Sequence, residues 1–320
     1  MTRRFIWLAI AIIAAIALYT FGWFYAADRL VSEAQAALDR ASSGGNRAVC
    51  EQMDARGYPF RIGLFCDAVF VERRTEGIDL DAGALRSAAQ VYSPRQVVAE
   101  LDAPVRLNLP RLLPLHFTWG SLQASARLAL PMPERTSLVA QRLNVEADTP
   151  GVGNTGLLGA DRAEVHLRPA GANLEVGLRT NALTMGPLLT AGQLPPVSGV
   201  ADFVLLDGMA RFGARDFDPH GARLDIRRVE IAVEGGGNLA ISGPLSVRDD
   251  GLVDADLQVK ASDAAALLAI VAGAFPEISQ QMLTLGAGLA ALGPDQPLPL
   301  RIREGVVTLG FITLGQIPPI

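Results

Sequence analysis

Few residues in this chain have the types and spacing that chemistry requires. The three histidines, His116, His166 and His220, lie far apart and lack metal-type spacing such as H-E-x-x-H. His116 and His166 fall in alternating runs, and His220 lies in an Asp-Pro-His-Gly turn, so each reads as structural or solvent-facing. Ser121 follows Gly120 without the Gly-x-Ser-x-Gly elbow of a hydrolase. Gly151-Val152-Gly153-Asn154-Thr155-Gly156 has the letters of a dinucleotide loop but lacks the strand-then-helix setting that holds a pyrophosphate. Asp216 with Asp218, and Asp249 with Asp250, sit in turns and complete no calcium loop. No catalytic residue, metal ligand or cofactor follows, and the expectation is a non-enzymatic protein.

The two cysteines, Cys50 and Cys66, do have a spacing with a consequence. They are too few for a structural zinc site and are not a C-x-x-C redox pair. Gly57-Tyr58-Pro59-Phe60-Arg61 is a turn signal between them. Two antiparallel strands joined by that turn would bring the cysteines within bonding reach. A disulfide is expected there, in an oxidising compartment, with two free thiols as the alternative.

The compartment is set by the N-terminus. Phe5–Phe24 contains no charged residue, and twenty helical residues make about 30 Å, the thickness of a bilayer core. Phe5, Trp7, Ile10, Ile13, Leu18 and Trp23 are its anchoring residues, with aromatic rings towards both ends. Arg3 and Arg4 precede it and Asp28 is the first acid after it, which predicts the N-terminus inside and the bulk of the chain in the periplasm. The run exceeds the 7–15 apolar residues of a cleaved signal and ends in bulky side chains, so a retained single-pass anchor in the inner membrane is expected.

The rest of the chain must position any site. Charged residues are 19% of the whole, the net charge is −5 and Lys260 is the only lysine, which argues against a nucleic-acid partner. The expected organisation is a cytoplasmic tip and anchor over 1–27, a helical stalk over 28–45 and a β-rich domain over 46–320. Alternation such as Val105, Leu107, Leu109, with turn residues at short intervals, predicts a large antiparallel sheet as a curved sheet, groove or sandwich. Asp249-Asp250-Gly251 marks a hairpin. Over about 263–292 an amphipathic helix pair is expected, its first member capped by Ser262 or Asp263. The fold class is therefore mainly β with some α.

Three stretches carry a resemblance. Gly57–Arg61 with Cys66, the hairpin and helical segment at 237–292, and the ending Gly305–Ile320 resemble DUF2125, an uncharacterised bacterial envelope family. The meander-then-helix pattern is more distantly similar to AsmA-like, bridge-like envelope proteins, which implies an apolar-lined β groove tied to the inner membrane and no catalytic residues.

The alternating faces can meet in a closed core or leave a groove. In the second case Phe117, Trp119, Leu268, Val271, Phe275, Met282 and Leu289 are the candidate apolar ligand face. The functional expectation is a membrane-anchored periplasmic protein that handles lipid or another apolar ligand in envelope maintenance. The alternative is an accessory scaffold subunit of an envelope complex, with other envelope proteins as partners and no ligand.

Overall fold

A 40-residue helix, α1 (Thr2–Ala41), opens the computed structural model, which describes residues 2–130, 132–190, 192, 194–212, 218–274, 297–310 and 312–319. The helix is unbroken through the stretches read as anchor and stalk. Its side chains from Arg3 to Tyr19 are exposed on every side. From Thr20 onwards one stripe is covered: Thr20, Trp23, Ala27, Leu30, Val31, Ala34 and Leu38 follow the three-and-four spacing of one helix face.

The β-rich remainder is mainly antiparallel and falls into two compact units: residues 1–117 with 121–128, and residues 118–120 with 129–320.

The first unit is a meander of five long runs, each interrupted once. They are β1 (Arg47–Cys50) with β2 (Asp54–Arg56), β3 (Arg61–Cys66) with β4 (Val69–Arg73), β5 (Ile78–Ala82) with β6 (Leu85–Gln90), β7 (Ser93–Leu101) with β8 (Val105–Asn108), and β9 (Leu115–Thr118) with β10 (Ser121–Arg127). The pairs Cys50↔Val69, Val69↔Ala82, Ala82↔Val105 and Val105↔Phe117 lie beside the interruptions, so these form one line across the sheet. At that line the Asp102 N–H donates to the Ala84 carbonyl at 2.9 Å. A side chain on Gly83 would come within 2.6 Å of the Asp102 carbonyl oxygen, so only glycine fits there. The expected disulfide, Cys50–Cys66, sits on the same line with its α-carbons 5.2 Å apart. It joins the first two runs, whose connecting turn is Gly57–Arg61, as the hairpin reading requires.

The second unit is a ten-strand antiparallel meander in which each strand pairs with the next. The strands are β11 (Arg135–Thr149), β12 (Gly153–Ala170), β13 (Asn173–Met185), β14 (Val197–Leu206), β15 (Arg223–Val233), β16 (Asn238–Val247), β17 (Val253–Ala261), β18 (Leu298–Arg303), β19 (Val306–Leu309) and β20 (Ile312–Gln316). Among the described residues β11 and β20 do not pair, so this sheet stays open. The short helix α2 (Gly208–Phe212) follows β14, and Met209 packs on Leu174, Leu205 and Ala222. A second cluster gathers Val253, Ala255, Leu257 and Ile302.

The first expected C-terminal helix is present as α3 (Ala264–Ala274). Asp263 is its cap: the Asp263 carboxylate accepts from the Ala266 N–H at 2.9 Å. The second expected helix, over 276–292, lies outside the described residues.

Candidate functional site

The two faces of the second unit have different chemistry, because side chains alternate along each strand and register carries the alternation from strand to strand. On one face a row runs Leu174↔Leu205↔Leu224↔Leu245↔Ala255↔Ile302↔Val307 across seven strands. A parallel row runs Leu138↔Val165↔Leu178↔Ala201↔Val229↔Ile241↔Val259↔Leu298 across eight. A third holds Ala140, Ala163, Thr180, Gly199, Ile231, Leu239 and Ala261. At about 4.8 Å per strand, the eight-residue row is roughly 34 Å long.

Burial grades across these rows. In the first, Leu174, Leu205, Ala255 and Ile302 are buried. In the second, Leu138 and Leu178 are each 39% exposed, and the other six are half-buried. The face is therefore sealed on the α2 side and partly open on the other. α3 stands at the open side: a side chain on Gly236, in the β15–β16 turn, would meet the Ile270 Cδ1 at 2.7 Å, and the Gly192 N–H donates to the Ala274 carbonyl at 3.1 Å.

The opposite face is a lattice of ion pairs. Glu175 accepts from Arg168 Nε at 2.7 Å and from Arg227 at 2.9 Å. Those two guanidiniums, Arg168 first, hold its carboxyl below the usual glutamate value. Glu164 is lowered in the same way, first by Arg162 and then by His166. Arg228 binds Asp202 at 2.8 Å, and Arg303 binds Asp256 at 2.7 Å. Two concavities open here. One, of about 480 Å³, holds Arg179, Glu230, Lys260 and Ser262, and the other, of about 610 Å³, holds Arg135, Ser137, His166 and Arg228.

Ser137, His166 and Glu164 form a chain that their sequence positions do not reveal. The His166 ring lies 2.9 Å through Nδ1 from the Ser137 hydroxyl and 3.0 Å through Nε2 from the Glu164 carboxylate. A carboxylate only accepts, so Nε2–H donates to Glu164, and in the neutral ring Nδ1 accepts from the hydroxyl. The order is that of a hydrolase triad. However, Ser137 stands within β11 rather than on a sharp turn, and Glu164 is shared with Arg162 at 2.5 Å. The three residues belong to the ion-pair lattice.

Four of the expected ligand-face residues are described. Phe117 pairs with the buried Val105 in the first unit. Trp119 is half-buried between β9 and β10, and Leu268 and Val271 are half-buried on α3. Phe275, Met282 and Leu289 lie outside the described residues. The apolar rows of β11–β18 are a face that local sequence reading missed.

The anchoring residues Phe5, Trp7, Ile10, Ile13 and Leu18 are all exposed. Trp23 is not: it is 7% exposed and packed on the Gly57–Arg61 turn. Its Nε1–H donates to the Arg61 carbonyl at 2.9 Å, and its ring meets Tyr58 edge-on at 5.5 Å. Phe24 stacks on Tyr58 at 5.9 Å, Thr20 is 2.8 Å from the Tyr58 hydroxyl, and the Tyr19 hydroxyl donates to the Pro59 carbonyl.

A long N-terminal apolar helix leading into antiparallel β-meanders, with an aliphatic face in the second, defines a β-rich protein with, among the described residues, one candidate membrane span. Within that class the chain belongs to DUF2125, the family described as an uncharacterized protein conserved in bacteria, whose model matches residues 23–318. A comparison with curated proteins finds no match.

Proposed function

We propose that this chain is a single-pass inner-membrane protein, N-terminus inside, whose periplasmic second unit binds lipid or a similarly apolar ligand without catalysing a reaction. The observation that carries the reading is the half-open row from Leu138 to Leu298. Aliphatic side chains left partly exposed in register across eight strands favour an apolar occupant, because each buried square ångström of such surface contributes about 25 cal/mol. Half of a bilayer core is about 15 Å, so a row of roughly 34 Å has length for an acyl chain. The apolar helix and the arginines before it support the anchor, and the disulfide suits an oxidising compartment.

Native mass spectrometry of the detergent-solubilised full chain tests this. Bound lipid is expected on the wild type and depleted by Ala201→Trp, which fills the middle of the row. Wild-type protein that releases no lipid on organic extraction would oppose it. The scaffold reading has one observation in its favour: β20 is exposed along its length and, among the described residues, pairs only with β19, leaving an edge for a partner strand. It predicts a stable protein partner and no lipid.

A further inference from the structure

The turn that receives α1 has side chains the fold does not use. Phe60 is 70% exposed and Tyr92, in the β6–β7 turn, is 78% exposed. The Val91 N–H donates to the Phe60 carbonyl at 3.1 Å, so the two turns stand side by side. Tyr58, Phe60, Val91 and Tyr92 thereby form one exposed, largely aromatic edge next to Tyr19, Thr20 and Trp23 of α1.

The length of free helix says what covers this edge. Between Arg4 and the covered stripe that begins at Thr20 lie fifteen exposed apolar residues, Phe5–Tyr19, the last of them bonded to Pro59 through its hydroxyl. They span about 22 Å, against about 30 Å of hydrocarbon to be crossed. Arg3 and Arg4 hold the other end out of the core. A spanning helix therefore draws its docked part, and the turn bonded to it, about 7 Å below the hydrocarbon boundary. Tilt increases that depth. Tyr and Phe rings suit this layer, and the exposed Arg61 at the turn's end can reach headgroup phosphates along its apolar stem.

We propose that the paired turns Tyr58–Phe60 and Val91–Tyr92 insert into the headgroup and upper acyl layer, giving the first unit a second contact with the lipid bilayer beside its anchor. The proposal rests on the reading of α1 as a transmembrane helix. Spin labels on the full chain, in vesicles of phosphatidylethanolamine and phosphatidylglycerol, test it by relative collision with oxygen and a water-soluble nickel chelate. Four single variants are used: Phe60→Cys, Tyr92→Cys, Ile13→Cys at mid-span, and Thr75→Cys in the β4–β5 turn, roughly 40 Å along the run from Phe60. Oxygen collisions should exceed those with nickel severalfold at 60, 92 and 13, and fall below them at 75. Water-like behaviour at 60 and 92 with lipid-like behaviour at 13 would overturn the insertion and leave the anchor standing. Water-like behaviour at 13 would overturn both.

Discussion

The Trp23 indole N–H donates to the Arg61 carbonyl at 2.9 Å, joining α1, just past its all-exposed apolar stretch, to the turn between the first two sheet runs. Trp23 and Ala27 are the only buried residues on the described part of α1. Truncating a buried Trp to Ala typically costs about 3–5 kcal/mol. Trp23→Ala should loosen the dock rather than unfold the sheet. Hydrogen exchange is expected to lose protection over 54–61 while β13–β16 keep theirs. Unchanged exchange over 54–61 would show that the contact does not hold the turn.

The disulfide bridges residues 16 apart, and closing such a loop contributes about 3 kcal/mol in the chain-entropy model. Cys50→Ser with Cys66→Ser should lower the urea midpoint of the first unit, and reductant should do the same to the wild type but nothing to the variant.

The ion-pair face gives a pH dependence of defined sign. The folded-state values of Glu164 and Glu175 lie below the ordinary 4.5, so both carboxylates remain charged above it. Their contribution to stability is complete above the unfolded value and is lost as pH falls through the lowered folded ones. The contribution of these two carboxylates to the urea midpoint of the second unit should hold from pH 7 to 5 and fade below about pH 4.5. Glu175→Gln should lower the midpoint at pH 6 and flatten the acid slope. An unaltered slope would remove Glu175 from the account.

Ser137→Ala separates a lattice role from a catalytic one. The variant should retain lipid and stability within about 1 kcal/mol, the ordinary size of one exposed hydrogen bond. The wild type should not react with a fluorophosphonate. Covalent labelling abolished by Ser137→Ala would show an activated serine and contradict the non-enzymatic reading.

Much of this architecture is legible locally. The helix, the turn between the cysteines, the hairpin at Asp249–Gly251 and the Asp263 cap each depend on residues near one another in sequence. In the hairpin, the Leu252 N–H donates to the Asp250 carboxylate at 3.1 Å. The aliphatic rows are a different matter. They depend on register across eight strands, and irregularities at Val145/Glu146, Thr180/Leu183, Asp202/Phe203 and Ile226/Val229 shift the alternation between one strand and the next. A one-residue shift exchanges the faces, so no local pattern shows that Leu138 and Leu298 share one. Ser137 meets His166 for the same reason. The helix dock had a signal: Tyr19, Trp23 and Phe24 end the apolar run, and the turn between the cysteines is aromatic at Tyr58 and Phe60.

Leu178 and Arg179 are adjacent on β13, the first in the half-open aliphatic row and the second on the ion-pair face. A photo-crosslinking p-benzoylphenylalanine placed at each position in turn, in the full chain and in intact cells, tests the ligand claim most directly. The account predicts lipid adducts at 178 and none at 179. Adducts to protein alone at 178, or no difference between the two positions, would contradict it.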